Sequence, residues 1–255
     1  MRKILLLLLA IALGAGVVYL NSIKTYPFKE VKLKPFVLEP KKPAPAVKFG
    51  PLGEKITYNV RLGAFSLGRA VFFHAQDLEF NGRPANLITF NTKVTRFSDL
   101  EKIYSDANTF LPMQIERQIK NLFSQEHIVE NYDQEKFTLN ITKVKGGKKE
   151  EMTINKDGPI HNSILLPYYV RRIPKLEIGW TLTAEFPTQR FLIKLVSIED
   201  VQVPAGKFKA YHFESVPEKF DIWITADELR IPVKIRGAGV LGYTLVMQDY
   251  SIKRD

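Results

Sequence analysis

The chain has 255 residues, and its hydrophobic content of 45% and aromatic content of 11% supply enough apolar surface for a large folded core. The formal charge is +10, but nine of the 37 Lys and Arg residues and only two of the 27 Asp and Glu residues precede Phe49. The rest of the chain is near +3, which excludes the basic footprint typical of nucleic-acid binders. The absence of cysteine excludes a disulfide framework, a thiolate metal site and a cysteine nucleophile.

Residues 1–20 are predicted to be a signal anchor or a signal peptide. Arg2 and Lys3 precede an uninterrupted apolar run of 17 residues, 4–20, which is close to the shortest helix that crosses a bilayer. Both alternatives predict export. An uncleaved segment makes residues 4–20 an inner-membrane anchor for a periplasmic domain, and a cleaved segment leaves a periplasmic protein.

Residues 21–48 are predicted to be a linker, because prolines alternate there with lysines. This composition favours extended, polyproline-like geometry at roughly 3.1 Å per residue, so the linker can hold a domain up to about 85 Å from the bilayer.

Residues 49–255 are predicted to form one antiparallel β-domain. The segment EKITYNVRL places Ile56, Tyr58 and Val60 on one face and polar residues on the other, the alternation of a half-buried strand. Similar patterns recur in residues 113–120, 137–142, 180–185 and 220–225. Polar outer faces indicate an antiparallel sheet with one wet side, so the predicted fold is all-β: a curved sheet in the form of a barrel, half-barrel or clam, preceded by the N-terminal hydrophobic helix.

Turn signals fall between the strand patterns, and the turns lie at residues 81–82, 106–108, 146–147, 157–158 and 204–206. In ITADELRIP, Asp227 is expected to accept backbone N–H bonds in a tight turn, and Pro232 to mark the start of a strand or an edge of the sheet. The C-terminal segment RIPVKIRGAGVLGYTLVMQ, residues 230–248, is predicted to be a hairpin that closes the β-structure.

One short helix is predicted in the segment NSILLPYYVRRIPK. Asn162 or Ser163 is the expected N-cap, Pro167 lies within the first turn, and two arginines beginning at Arg171 suit the negative end of the helix dipole. Pro174 ends the helix.

These segments together resemble a bacterial envelope family known as domain of unknown function 3108. The resemblance covers about residues 53–250 and is carried, in order, by GEKITYNVRLGAFSLGRA, DANTFLPMQIER, SILLPYYVRRIPKLEIGW, VQVPAGKFKAYHFE and IWITADELRIPVKIRGAGVLGYTLVMQ. It implies an exported, mainly antiparallel β-domain with no established activity and no catalytic residues to carry over.

The sequence contains no pattern that indicates catalysis, a metal or a cofactor. Its four histidines, His74, His127, His161 and His212, are dispersed and lack the spacing of a metal site. Neighbouring acidic pairs do not place two carboxylates across a cleft, as a glycosidase requires. We therefore expect a non-catalytic protein without a metal or a cofactor.

The best candidates for ligand contact are aromatic and basic residues in and after the predicted helix. Tyrosine and tryptophan offer flat amphipathic faces, and arginine forks to a phosphate or carboxylate. The alternative is that the tyrosines and tryptophans pack into the core and the arginines cap the helix. The candidates are Tyr168, Tyr169, Arg171, Arg172, Trp180 and Trp223.

The expected function is binding of an apolar or amphiphilic envelope molecule, a lipid or a glycan, within the curved sheet. The first alternative is an envelope scaffold or assembly partner positioned by the linker. The second is a cell-wall hydrolase, which requires polar groups with perturbed pKa values converging in one cleft.

Overall fold

The computed structural model of the protein describes residues 51–237 and 242–252. The predicted hydrophobic helix in residues 1–20 and the linker in residues 21–48 lie outside the described residues. Within the described ranges, no helix combines the length and the apolar character needed to span a bilayer.

Fourteen β-strands and one short α-helix make up the described part of the chain. The strands before the helix are β1 (Glu54–Leu62), β2 (Phe65–Phe80), β3 (Arg83–Val94), β4 (Phe97–Asp106), β5 (Pro112–Lys120), β6 (Gln125–Asp133), β7 (Thr138–Lys145) and β8 (Lys148–Asn155). The helix α1 (Leu166–Arg171) is followed by β9 (Thr181–Glu185), β10 (Arg190–Val203), β11 (Gly206–Val216), β12 (Phe220–Thr225), β13 (Pro232–Gly237) and β14 (Tyr243–Ile252).

All fourteen strands belong to one sheet, in the order β8-β7-β6-β5-β4-β3-β2-β1-β14-β13-β12-β11-β10-β9. Every neighbouring pair is antiparallel, as the alternating sequence pattern predicts. Among the described residues β8 and β9 do not pair, so the sheet is open rather than a closed barrel. The strands β13 and β14 of the predicted C-terminal hairpin lie in the middle of the sheet, where β14 pairs with β1 and joins its two halves.

The inner face of the sheet carries the core. In β1, Ile56, Tyr58 and Val60 are almost completely buried, and the residues between them are more polar. The same alternation continues across the neighbouring strands, since directly paired residues point to the same face. Asp227 Oδ1 accepts the backbone N–H bonds of Leu229 and Arg230, each at 3.0 Å, which confirms the tight turn predicted before β13.

The turns fall at two opposite rims of the sheet, because successive strands run in opposite directions. The rim that carries the β1–β2, β3–β4, β5–β6, β7–β8 and β11–β12 turns is called the tip rim. The opposite rim carries the β2–β3, β4–β5 and β12–β13 turns and is called the helix rim, since α1 contacts it.

Helix α1 (Leu166–Arg171) is buried along its whole length. Its N-cap is Leu165, which makes no side-chain capping bond, so the predicted cap at Asn162 or Ser163 is wrong. Instead, Asn162 Oδ1 accepts backbone N–H bonds two and three residues further on, at 2.8 and 3.3 Å, and orders the turn before the helix. Pro167 lies in the first turn, as predicted.

Candidate functional site

A partly open cavity of about 90 Å³ lies inside the sheet, between α1 and the tip rim. Leu166 and Pro167 of α1 line it from the side of the helix. Phe97, Phe220 and Tyr243 also line it, and each is the first residue of a strand that starts at the tip rim. The wall is mainly apolar, with Thr92, Asp99 and Ser163 among its few polar side chains.

The cavity reveals how strongly the sheet curves. Phe97 of β4 and Phe220 of β12 line the same cavity, yet β4 and β12 are separated by five intervening strands in the sheet. In a flat sheet these strands would lie about 29 Å apart, because neighbouring strands are about 4.8 Å apart. The curvature therefore brings the two halves of the sheet face to face.

Helix α1 blocks the interior at the helix rim through buried polar contacts. The Arg171 guanidinium donates two hydrogen bonds to the carboxylate of Glu54 at the start of β1, at 2.8 and 2.6 Å. The Arg230 guanidinium, in the β12–β13 turn, donates to the carbonyl of Arg171 at 2.9 Å. The Tyr169 hydroxyl donates to the carbonyl of Phe110, in the β4–β5 turn, at 3.2 Å. The helix is thus tied to three elements, and the cavity wall extends from α1 to Phe97, Phe220 and Tyr243 at the tip rim.

A cluster of charged side chains lies on the inner face of β4, β5 and β6. The Arg117 guanidinium donates to both carboxylate oxygens of Asp99, with Nε at 2.9 and 3.2 Å from them, and its Nε is 3.4 Å from Glu101 Oε1. The Tyr132 hydroxyl donates to Glu130 Oε2 at 2.5 Å. All five side chains are buried, and Asp99 also lines the cavity.

Burial changes the ionisation of this cluster because one arginine faces three carboxyl groups. Desolvation raises the pKa of Glu101 to about 8; Arg117 opposes this rise, while Asp99 and Glu130 add to it. Desolvation also raises the pKa of Glu130, against the hydrogen bond from Tyr132. A protonated Glu101 leaves the cluster closer to neutral, which lowers the cost of burying it.

This cluster was not predicted from the sequence, although the alternation along its strands contained the signal. Arg117 has the same parity along β5 as Ile115 and Ile119, which face the core. Asp99 and Glu101 likewise have the parity of the buried Phe97 and Ile103 along β4, so alternation places them inside. No face was predicted for Arg117, and residues 97–106 were not among the segments predicted to be strands.

The four candidate residues of α1 and its end occupy different environments. Tyr168 is buried and stacks on Phe110, with 4.7 Å between ring centroids. Tyr169 and Arg171 are buried and make the contacts described above, whereas Arg172 is exposed. The α1 residues that line the cavity are Leu166 and Pro167, at the start of the helix, and not these four.

The two candidate tryptophans lie apart from each other and do not line the cavity. Trp180 is half-buried and meets Phe213 edge-on, with 6.1 Å between ring centroids. Trp223 lies on the outer face of β12, stacked on His212 with 4.2 Å between ring centroids and covered by Lys234 Nζ, 4.1 Å from its ring centroid. Its indole N–H donates to Glu199 at 2.6 Å. The six sequence candidates therefore do not form one site. Four lie at α1, Trp180 lies beside Phe213, and Trp223 lies on the outer face of β12.

Among residues 51–237 and 242–252, one group of side chains has ligand atoms close enough to hold a metal ion. His212, Glu214 and Asp221 offer atoms within 4.8 Å of one another on the outer face of β11 and β12. The Arg236 guanidinium already donates to Asp221 Oδ2 at 2.6 Å. Because Arg236 and the nearby Lys234 supply positive charge there, the group is arranged as an ion-paired surface cluster rather than a cation site.

The fold is an open antiparallel sheet, blocked by a helix at one rim and holding an apolar cavity towards the other. The chain belongs to the family described as "Protein of unknown function (DUF3108)", whose model matches residues 57–247. The resemblance inferred from the sequence motifs is thereby confirmed. No curated protein matches the chain at a significant level.

Three solved structures are similar to the chain at low identity. A β-barrel-like protein from Brucella abortus with a domain of unknown function DUF1849 has 9% identity and a TM-score of 0.49, covering 80% of this chain and 98% of that one. A candidate exported protein with a YmcC-like fold from Bacteroides fragilis has 12% identity and a TM-score of 0.30, and the match covers 80% of this chain and 97% of that one. A candidate lipoprotein from Parabacteroides distasonis has 8% identity and a TM-score of 0.28, and the match covers 81% of this chain and 98% of that one.

Proposed function

We propose that the protein is an exported, membrane-tethered and non-catalytic envelope protein that binds the apolar part of a lipid or other amphiphile inside its sheet. The observation that carries this proposal is the apolar, partly open cavity of about 90 Å³ between α1 and the tip rim. Its wall favours a hydrocarbon chain over a glycan, because a glycan needs many hydrogen-bonding groups that Val60, Ile222 and Leu245 do not offer.

Burial of hydrocarbon in the cavity is energetically favourable. The apolar wall of the partly open cavity contacts water when no ligand is bound, at an unfavourable free energy of roughly 25 cal/mol per Å². Methylene groups that enter it recover that cost and leave water at about 0.8 kcal/mol each. Several methylenes in the cavity are therefore enough to hold an amphiphile whose polar end stays at the tip rim.

Native mass spectrometry of the full chain, purified in a mild detergent, tests the proposal. We expect an added mass that organic solvent extraction identifies as a lipid. Ile235→Phe enlarges a side chain of the cavity wall and is expected to reduce the bound fraction. Ile198→Phe makes the same change in β10, at a side chain that is 39% exposed and does not line the cavity, and is expected to leave binding unchanged.

Two outcomes contradict this function. The first is a protein that carries no lipid from cells and takes none from added phospholipid. The second is equal lipid binding in both variants, which places any bound lipid outside the cavity.

The cell-wall hydrolase is a second candidate, favoured by the convergence of Asp99, Glu101 and Glu130 on the inner face. Only Asp99 of these three lines the cavity, and its carboxylate is already paired with Arg117. We rank the hydrolase lower for that reason. Release of soluble fragments from purified peptidoglycan by the wild type and not by Asp99→Asn would reverse the ranking. The scaffold alternative has no particular contact of the described residues in its favour.

A further inference from the structure

The tip rim exposes large apolar side chains at the ends of two hairpins. Phe65, at the β1–β2 turn, is 75% exposed, and Phe123, in the β5–β6 turn, is 73% exposed beside a half-exposed Leu122. Exposed turns are normally polar, and a solvated phenylalanine at a turn gains nothing for folding. These side chains therefore suggest a second surface that removes them from water.

The β5–β6 turn holds its apolar residues outwards by a defined set of hydrogen bonds. Asn121 Oδ1 accepts the backbone N–H bonds of Phe123 and Ser124, each at 2.9 Å, and the Asn121 amide donates to the Ser124 hydroxyl at 2.9 Å. The two polar residues thus fix the turn from within. Leu122 and Phe123 are left at its exposed centre.

A row of basic residues runs across the outer face just behind these turns. Arg69 of β2 pairs directly with Lys93 of β3, Lys93 pairs with Ser98 of β4, and Ser98 pairs with Lys120 of β5. All three basic side chains are exposed, and none forms an ion pair with a carboxylate among the described residues. Arg96, in the β3–β4 turn, adds a fourth exposed cation at the rim.

The arrangement of charge is unfavourable for the isolated domain. Like charges directly opposite each other on neighbouring strands destabilise a sheet, and Arg69 and Lys93 are such a pair. A nearby anionic surface would compensate both charges. We propose that the tip rim docks on an anionic phospholipid bilayer, with Phe65, Leu122 and Phe123 entering the interface and the basic row facing the lipid phosphates.

The dimensions of the rim suit this partner. The β1–β2 and β5–β6 turns are about 19 Å apart along the sheet, since four strand spacings of about 4.8 Å separate them. Lys93 lies two residues before the β3–β4 turn and Lys120 two residues before Leu122, about 7 Å at 3.4 Å per residue. Apolar groups of interfacial proteins enter the boundary of headgroups and acyl chains by about 5–10 Å, which leaves these lysines at phosphate depth. The docking surface also adjoins the cavity wall at the tip rim, but docking does not depend on what occupies the cavity.

Depth-dependent fluorescence quenching of the full chain tests the docking. The chain is reconstituted into vesicles of phosphatidylcholine with brominated acyl chains, with or without phosphatidylglycerol. Phe123→Trp places a reporter on the tip rim, and Leu229→Trp places one at a 50% exposed position on the helix rim as the matched control. We expect the vesicles that contain phosphatidylglycerol to quench most of the emission added by Phe123→Trp and little of that added by Leu229→Trp. Equal quenching of the two reporters would overturn the proposal.

Charge reversal tests the basic row while leaving the apolar turns intact. Lys93→Glu combined with Lys120→Glu, introduced with the Phe123→Trp reporter, is expected to remove the dependence of quenching on phosphatidylglycerol. The unfolding midpoint should not fall, because a carboxylate opposite Arg69 relieves the repulsion in the sheet. Lys207→Glu with Lys209→Glu makes the same charge change near the β10–β11 turn at the helix rim and should leave quenching unchanged. Quenching that is the same with and without phosphatidylglycerol in the unreversed chain would also overturn the proposal.

Discussion

Arg171 and Glu54, 117 residues apart in the chain, form a buried ion pair with two hydrogen bonds that joins α1 to β1. Both side chains are at most 1% exposed, and the Tyr250 hydroxyl donates a further hydrogen bond to Glu54 at 3.2 Å. Since β1 pairs with β14 at the centre of the sheet, this pair holds the helix against the place where the two halves of the sheet meet.

Removing the arginine from this pair is expected to be strongly destabilising. Arg171→Met leaves the Glu54 carboxylate buried without its partner and should cost about 3–5 kcal/mol in the free energy of unfolding, measured with urea. Arg83→Met is the control, because Arg83 bonds Glu135 at 2.8 Å while both side chains are exposed. The control should change stability by less than about 1 kcal/mol. Similar losses in both variants would contradict a special role for the buried pair.

The double variant separates the ion pair from packing. Glu54→Gln combined with Arg171→Met removes both charges, so its loss of stability should be smaller than the sum of the two single losses. An additive double-mutant cycle would show that the two side chains contribute independently.

The stability of the protein is expected to depend on pH through Glu101. Its pKa in the folded state, about 8, is above the ordinary value of 4.5, so the folded protein binds more protons than the unfolded chain between these values. The free energy of unfolding should therefore fall as the pH rises from about 4.5 to about 8, by an amount on the order of a few kcal/mol.

Glu101→Gln tests this dependence, because glutamine has a similar shape and does not ionise. Urea unfolding across that pH range should give a shallower slope for the variant than for the wild type. Glu218→Gln, in the exposed β11–β12 turn, is the control and should keep the wild-type slope. A slope unaffected by Glu101→Gln would assign the pH dependence to other groups.

The stacking of His212 on Trp223 predicts a pH-dependent fluorescence signal. Burial lowers the pKa of His212 below its ordinary value of 6.5, against the pull of Glu199, Asp221 and Glu214. As the pH falls below that value, the imidazole gains a proton in contact with the indole ring, and an imidazolium quenches indole emission. Emission should therefore decrease on acidification in the wild type and in Trp180→Phe. It should stay constant in His212→Gln, and a response that survives this change would locate the titrating group elsewhere.

Gly68 is expected to tolerate no side chain. A Cβ atom at this position would lie 2.1 Å from the carbonyl oxygen of Lys93 on the neighbouring strand. Gly68→Ala should destabilise the protein by about 1–3 kcal/mol, because the backbone of β3 must move. Gly158→Ala meets no atom within 4 Å and is expected to be neutral or slightly stabilising in a thermal unfolding experiment. Equal midpoints for the two variants would show that the strands separate at little cost.

The sequence alone was sufficient for the class of fold and for many local features. Strand alternation predicted the antiparallel sheet, and the turn residues predicted the hairpins, the tight turn at Asp227 and the start of β13 at Pro232. These features depend on contacts between residues a few positions apart, so the local order of apolar, polar and turn-forming side chains determines them. The same order predicted a helix around Pro167 but misplaced its first residue, since the backbone and not a side chain satisfies its N-terminus.

Only the tertiary structure decided where the cavity lies and which buried charges contact one another. Curvature brings Phe97 and Phe220 to one cavity and Arg171 to Glu54, and it buries Arg117 among three carboxyl groups. The local pattern carries no information on these pairs, because it gives the face of each residue but not the strand order or the bending that sets which inner faces meet. The physical reason is that alternation along a strand is a property of neighbouring residues, whereas closure of a curved sheet around a helix is decided by packing over the whole domain.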